Sequence, residues 1–344
     1  MTFRHRVVVV GAGAAGLTAA RHLCETHDVV VIDKGRGVGG RMATRRIGDA
    51  TFDHGAQFLT THHEDFATRV QHWCDVGVAQ PWYRGQVGPV GSGAQDGHTR
   101  YRGTVSMNAI AKHLAEGLDV RRATRAASVG VRDGRWWVQL DDRAVGAGAA
   151  DDRPHGGLAA DALVLTAPVP QSLELLEAGG MALAPQDAAA MAAIDYHRCL
   201  AALVPLDGPS GLPAPGAVSP GRGPIDWIAD NSMKGISTGP GITIHAAASF
   251  SAEWWARPDE EIVDTLVAEA RSVAALVAAP VGGSQVQRWR YARPVQVHPE
   301  PCLVADALPP LVLCGDAFGE AKVEGAVRSG AAAATRLVAL LATA

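Results

Sequence analysis

Residues 7–10 are four consecutive valines, and Gly11-Ala12-Gly13-Ala14-Ala15-Gly16 follows them directly. A short run of β-branched residues reads as a buried parallel strand. Glycines at this spacing after a strand convert it into a helix. Gly11 makes the tight turn, Gly13 lets the backbone approach a pyrophosphate, and Gly16 lets helix and strand pack closely. The helix is expected to run to about residue 26, and residues 29–32 form the second strand, ending at Asp33. The helix N-terminus, at Ala14 and Ala15, offers free N–H groups and a positive dipole end to phosphates. Asp33 can accept both hydroxyls of an adenosine ribose and disfavours a 2′-phosphate there, although Lys34 adjoins it. This β-α-β unit points to an ADP-containing dinucleotide.

The rest of the composition narrows the class. The chain has 344 residues, 47% hydrophobic and 19% charged, which excludes a disordered tail or a coiled coil and allows a large core. A net charge of −4 provides no basic field for nucleic acid or an anionic membrane. No apolar run approaches the roughly 20 residues of a membrane helix. The five cysteines, Cys24, Cys74, Cys199, Cys302 and Cys314, form neither a zinc ribbon nor a CxxC pair. An odd, scattered set fits a reducing compartment, and a cytoplasmic protein is expected. His62-His63-Glu64-Asp65 reads as a helix start rather than a metal cluster, so no metal is expected. There is no GxSxG elbow for hydrolase chemistry.

Further along, helices are expected at 64–76, from Ser106 as cap to 116, at 259–278 and from 323 to the end. Strands are expected at 119–131 paired with 135–140 through Asp133-Gly134, and at 163–166, 198–205, 242–250, 286–291 and 311–313. Residues 141–159 read as a loop, 205–224 as a Pro/Gly-rich hairpin excursion, and 80–103 has no clear pattern.

Two sets of distant segments bear on which dinucleotide is bound. Arg36-Gly37-Val38-Gly39-Gly40-Arg41 lies just past Asp33, with Phe52-Asp53-His54-Gly55-Ala56-Gln57-Phe58 beyond it. Gly315-Asp316 and Val323-Glu324-Gly325-Ala326 lie near the other end. An elongated FAD requires such remote pieces. On the segments 33–42, 52–58, 163–171, 288–292, 315–316 and 323–330, the chain resembles the flavin-containing amine oxidase superfamily, and within it the renalase-like oxidoreductases. The resemblance covers most of the chain.

The resemblance implies an α/β fold: a glutathione-reductase-type, Rossmann-like FAD-binding domain interleaved with a smaller mixed-sheet substrate domain. It implies FAD contacts at Gly40, Arg41 and Met42, at Gln57 and Phe58, and at Gly315 and Asp316. Ala126 would pack its backbone on adenine. The helix from about Glu324 (Val323, Glu324, Gly325, Ala326) would aim its N-terminus at the flavin N1–C2=O edge. Departures are visible: Ala317 and Phe318 stand where many relatives have Trp, and Ala126 where Val is frequent. No Ser-Gly-Gly-Cys-Tyr occurs, so FAD is expected to be non-covalent. Trp289-Arg290-Tyr291 is a strand segment that the resemblance puts beside the flavin. An arginine buried in a strand is costly unless it faces a ligand or an acid. Asn231, Lys234 and His245 lie in the candidate substrate region. With Trp289, Arg290 and Tyr291 they are the candidate catalytic residues.

The expected division is an FAD domain over 1–75, 104–170 and 295–344, with the substrate domain over 76–103 and 171–294. The expected function is FAD-dependent hydride abstraction from a small molecule, passed to oxygen to give hydrogen peroxide. By the resemblance the donor is a misreduced isomer of NAD(P)H. The alternatives are a primary or secondary amine, or a non-redox flavin-binding isomerase. No nucleic acid or membrane partner is expected, and the protein would be a monomer or weak homodimer.

Overall fold

A computed structural model describes residues 4–88, 96–141, 156–274 and 278–343. The chain forms two compact units. The first comprises Met1–Gly40, Ala111–Asp195 and Pro294–Ala344, and the second Arg41–Ile110 and Tyr196–Arg293. Relative to the expected division, 41–75 and 104–110 fall in the second unit and 171–195 in the first. The reason for 41–75 lies in its hairpin, Thr44–Ile47 with Ala50–Asp53. Its Ala50 and Phe52 share a buried cluster with Leu203 of the second unit's sheet.

The first unit is built on a six-stranded sheet. Its order is Leu303–Val304, Leu311–Leu313, Ala162–Leu165, Arg6–Val10, Asp28–Ile32 and Asp119–Arg121. All pairings are parallel except that of the edge strand Leu303–Val304. The valine run is buried throughout, as expected of a strand covered on both faces. A separate antiparallel sheet joins Ala126–Arg132, Arg135–Leu140 and Gly157–Ala160. Its hairpin turns at Asp133 and Gly134, with φ of 51° and 75°, the left-handed pair that a two-residue turn of this kind demands. The helices Ala14–Leu23 and Val323–Thr343 pack on one another. A Cβ at Gly330 would stand 2.2 Å from the Ala15 carbonyl oxygen, so only glycine allows that approach.

In the second unit a five-stranded sheet runs in the order Ala217–Val218, Ile225–Asp230, Gly241–Ala246, Tyr196–Pro205, Gln285–Pro294. Helix Asp259–Ala274 covers it. Ile262, Leu266, Ala270 and Ala274, four residues apart, are buried with Leu200, Ala202, Ile228, Ile242 and Ile244. Each large side chain so buried contributes about 1.5–3 kcal/mol. The remaining elements include helix Glu64–Asp75 and the hairpin Ala79–Arg84 with Thr99–Gly103.

Several expected elements differ. The strand expected at 119–131 is two: Asp119–Arg121 joins the parallel sheet and Ala126–Arg132 the antiparallel one, with Ala123 at φ 49° between them. The strand expected at 242–250 ends at Ala246, and helix Ala248–Glu253 begins. Its Ser251 hydroxyl accepts the Leu200 N–H at 3.0 Å, tying the helix to the sheet. The first helix stops at Leu23, where the His27 N–H closes a turn onto the Leu23 carbonyl. Strand Gly157–Ala160 falls mostly in the stretch read as loop and the hairpin Ala79–Arg84/Thr99–Gly103 in the one without a clear pattern, while strand Ile225–Asp230 lies between the expected elements. Most of the expected loop at 141–159, and residues 275–277 of the expected helix end, lie outside the described residues.

Candidate functional site

In the first unit the strand Arg6–Val10 delivers the chain to the glycine loop. A Cβ on Gly16 would stand 2.0 Å from the Gly11 carbonyl oxygen, so this glycine is required by backbone packing. A Cβ on Gly13 would meet nothing within 4 Å. Gly13 is the N-cap of helix Ala14–Leu23 and no side chain caps that helix. Its first turn is therefore an open backbone cradle of the kind a pyrophosphate fills.

Asp33 stands at the end of the next strand. One carboxylate oxygen accepts the Ala12 N–H at 2.7 Å and the other the Gly35 N–H at 2.6 Å. A carboxylate oxygen can accept twice, so each keeps an acceptor site for a ribose hydroxyl. Asp33 thus shapes the loop. We expect Asp33→Ala to lower apoprotein stability by about 1.5–3 kcal/mol, the worth of a charge-assisted hydrogen bond. It should also weaken FAD binding. Unfolding of the apoprotein and FAD titration check the two effects separately. An unchanged apoprotein would mean that the two bonds do not hold the loop.

Lys34 is exposed and donates to Gln171 Oε1 at 3.3 Å. Gly39 donates to the Ala12 carbonyl at 2.8 Å, which brings Gly40 beside Gly13. Gly315 donates its N–H to Ser329 Oγ at 2.8 Å, linking the Gly315-Asp316 turn to helix Val323–Thr343. Glu324 and Gly325 in that helix's first turn are buried, with Val323 and Ala326 partly so; Ala126 is buried at the start of its strand. The open cradle, the uncapped helix and the acceptor sites left on Asp33 fit the ADP half of FAD.

The second unit centres on Asp53, at the end of the hairpin and fully buried. Lys234 Nζ donates to it at 2.8 Å, the Thr44 hydroxyl at 2.6 Å, and the Met107 N–H at 3.0 Å. Ser106 stands at the N-cap position of helix Met107–Ala115, as expected, and the first helical N–H, of Met107, goes to Asp53. Lys234 is buried, with its ammonium 2.8 Å from Asp53, 3.5 Å from Gln57 Oε1 and 5.1 Å from the Trp82 ring centroid. Burial pulls its pKa down, and the Asp53 charge opposes that pull. Gln57 spends its amide N–H groups on the carbonyls of Asp53 and Gly55.

Lys234 is set by a turn after strand Ile225–Asp230. The other buried acid among the described residues of this unit, Asp230, accepts the Ser210 hydroxyl and the Ser232 and Met233 N–H groups there. Asn231 donates to Thr243 Oγ1 at 3.0 Å, and the Thr243 hydroxyl donates to the Asp53 carbonyl at 3.0 Å. So Asn231 and Lys234 both brace the Asp53 segment.

His245 and Trp289 converge on the next residue. Trp289 Nε1 donates to the His54 carbonyl at 2.7 Å, and His245 Nε2 lies 3.3 Å from the same oxygen. The Trp289 ring stacks on the His54 ring at 5.4 Å. Burial pushes His54 down to about 3 and His245 down to about 4, so both are neutral at pH 7. Arg41 donates to the carbonyls of Tyr291 and Ala292, while its own carbonyl accepts the Ala56 N–H. Met42 is buried. Tyr291 meets Tyr196 edge to face at 5.5 Å.

Arg290 corrects an expectation. It is exposed, so the premise of a buried guanidinium fails; the alternation along strand Gln285–Pro294 turns it outward. Arg288 is occupied by Asp259 at 2.5 Å and by the Trp255 carbonyl.

Sequence reasoning missed an aromatic cluster. The Phe58 ring lies 5.3 Å from Trp227 and 6.4 Å from Tyr83, and Trp82 lies 5.0 Å from Tyr83 and 6.4 Å from Trp227. Arg100 stands over Phe58 and Tyr83 at 5.7 and 5.9 Å, its guanidinium paired with Asp96. Among these only Phe58 was singled out from the sequence. Asp53 and His54 were also missed as site residues, though they lie inside the segment 52–58.

Comparison with known proteins gives two family matches. A profile described as an NAD(P)-binding Rossmann-like domain matches residues 9–75, and one described as flavin containing amine oxidoreductase matches residues 85–338. Among solved structures, wild-type putrescine oxidase bound to putrescine superposes with a TM-score of 0.69 at 16% identity, covering 98% of this chain and 99% of that one. A protein from Exiguobacterium sp. 255-15 assigned as a protoporphyrinogen oxidase superposes with a TM-score of 0.65 at 13% identity, covering 100% of both chains. At these identities the likeness is one of fold.

Proposed function

The chain belongs to the flavin-containing amine oxidoreductase family and is an FAD-dependent oxidoreductase, and from that premise we propose that its hydride donor is an uncharged planar ring of the dihydronicotinamide class. Misreduced isomers of NAD(P)H are the specific donors in this reading, with oxygen as acceptor and hydrogen peroxide as product. One observation carries it. The second unit presents a cluster of aromatic faces, and its two buried carboxylates, Asp53 and Asp230, are each already engaged by three protein donors. A substrate ammonium finds no free buried acid among the described residues of this unit, whereas a neutral ring gains stacking worth about 0.5–1.5 kcal/mol per aromatic pair.

FAD, when bound, supplies the two-electron acceptor for the hydride. The first unit's Gly11, Gly13, Ala14, Ala15, Gly16 and Asp33 are proposed to hold its ADP half, with Lys34, Gly40 and Ala126 nearby in sequence and fold. Gly315, Asp316 and residues 323–326 are proposed to serve the rest of the cofactor from that unit. In the second unit Arg41, Met42, Gln57 and Phe58 remain proposed cofactor contacts. Lys234, Asn231, His245 and Trp289 act as positioning residues, because their polar atoms hold the 53–54 backbone and the Asp53 carboxylate. Tyr291 offers its carbonyl to Arg41, and Arg290 carries no part of the reading. A dihydropyridine releases hydride without first losing a proton. The chain therefore needs to orient and desolvate the donor rather than supply a base. Its cysteines, all unpaired, suit a reducing compartment.

The test is anaerobic mixing of the oxidised holoenzyme with 2-dihydro and 6-dihydro isomers of NAD, ordinary 4-dihydro NADH, putrescine and benzylamine, following the visible flavin band. Fast bleaching by a 2- or 6-dihydro isomer is expected. Bleaching by an amine, with no response to any dihydronicotinamide, would reverse the assignment.

A further inference from the structure

Trp227 and Trp82 both stand at irregularities in their strands. The register of Ile225–Asp230 against Gly241–Ala246 shifts between Ile225 and Trp227, and that of Ala79–Arg84 against Thr99–Gly103 shifts between Pro81 and Tyr83. A β-bulge re-aims the side chain next to it, and such devices concentrate beside functional sites. Here two independent bulges deliver two indoles to one cluster, 6.4 Å apart, around Phe58 and Tyr83.

The polar atoms of this cluster are unequally satisfied. Trp82 Nε1 donates to the Pro215 carbonyl at 3.2 Å. Trp227 Nε1 is buried and has no partner among the described residues, and the same holds for Arg100 Nε. Arg100's terminal nitrogens are committed to Asp96 and to the His98 carbonyl. An indole nitrogen is a donor only, so Trp227 needs an acceptor, and buried donors in native proteins nearly always have one. The Phe58 ring is tilted 50° to the Trp227 ring at 5.3 Å, so the immediate surroundings of the indole are apolar.

We propose that the Trp227 indole N–H is the recognition donor for an exocyclic carbonyl oxygen carried by the planar ring that stacks in this cluster. A carboxamide beside a nitrogen heterocycle fits both demands: a flat face for the aromatic side chains and an acceptor at its edge. Because Asp96 offsets the Arg100 charge, a neutral carbonyl suits the position better than a carboxylate. The inference rests on the nicotinamide-class reading of the donor, and its test is independent of hydride transfer.

The experiment records indole N–H signals of the oxidised, FAD-loaded enzyme labelled with 15N-tryptophan, with Trp227→Phe identifying the Trp227 signal. The probes are nicotinamide and, as a matched ring without the carbonyl, pyridine. The Trp227 indole proton should move downfield with nicotinamide and not with pyridine. Trp227→Phe should raise the nicotinamide Kd about 2- to 12-fold, as loss of a neutral hydrogen bond implies. No movement with nicotinamide, or equal movement with pyridine, would overturn the proposal and leave Trp227 as packing alone. If Trp227→Phe does not fold, the crystal structure of the nicotinamide-soaked holoenzyme decides. An amide oxygen within hydrogen-bond distance of Nε1 supports the proposal, and any other placement overturns it. Flavin reduction by dihydronicotinamides with a silent indole signal would sink this inference alone. A shifted indole signal without reduction would uphold the donor and sink the substrate reading.

Discussion

Lys234→Met should cost the folded protein about 3–5 kcal/mol, the usual penalty for removing one partner of a buried ion pair. The physical reason is what remains behind. Asp53 would keep its charge in a site where neither side chain of the pair has any exposure, with the Thr44 hydroxyl, the Met107 N–H and the more distant Arg102 charge left to stabilise it. Because that carboxylate also caps helix Met107–Ala115, the damage should extend to the helix start. Asp53→Asn alone should also destabilise, by leaving the ammonium unpaired. The double variant Lys234→Met with Asp53→Asn should recover part of the loss, since the uncompensated charge is gone and the Asn oxygen can still accept from Met107. Denaturant unfolding of the four proteins measures this. Single and double losses that simply add would show that the two residues do not act as a pair.

Gly13→Val should nearly abolish FAD binding while leaving the apoprotein folded. A side chain at residue 13 meets no protein atom within 4 Å, and the backbone there, at φ −85°, is open to any residue. Loss of glycine at an N-cap costs the helix no more than about 1 kcal/mol. The branched side chain would instead fill the pyrophosphate approach. FAD affinity should fall by more than the roughly 10- to 150-fold that a lost charge-assisted bond produces. Gly16→Ala is the contrast: its Cβ would lie 2.0 Å from a backbone oxygen, so this variant should damage the apoprotein itself. Titration of refolded apoprotein with FAD, beside circular dichroism, separates the two outcomes. Tight FAD binding by Gly13→Val would show that the cradle is misassigned.

The difference between these two sites explains what could be read from sequence. The phosphate loop is local: strand, three glycines and Asp33 fall within 28 residues, residues 6–33, and each constrains its neighbours. The Asp53–Lys234 pair joins residues 181 apart, and no periodicity connects them. Lys234 is legible as a residue of the candidate substrate region; the acid it needs lies inside a segment marked only by its resemblance. The aromatic cluster was hidden for another reason. Trp82 and Tyr83 fall in a stretch with no alternation, because a bulge between Pro81 and Tyr83 breaks the two-residue repeat. Trp227 lies beside a second bulge, in a strand missed for the same cause. Arg290 was misjudged by treating three adjacent residues as one buried unit, whereas strand geometry turns neighbours to opposite faces. The helix Ala248–Glu253 went unseen because a six-residue helix after a strand continues an apolar run without a full period.

The most direct test of the proposed chemistry is a single anaerobic turnover. One equivalent of the 6-dihydro isomer of NAD is mixed with oxidised holoenzyme, and both the flavin spectrum and the oxidised dinucleotide are quantified. If the ring is the hydride donor, the flavin bleaches and one NAD appears for each flavin reduced. A flavin that stays oxidised with this isomer and its 2-dihydro counterpart, yet bleaches with one equivalent of an amine, would contradict the assignment.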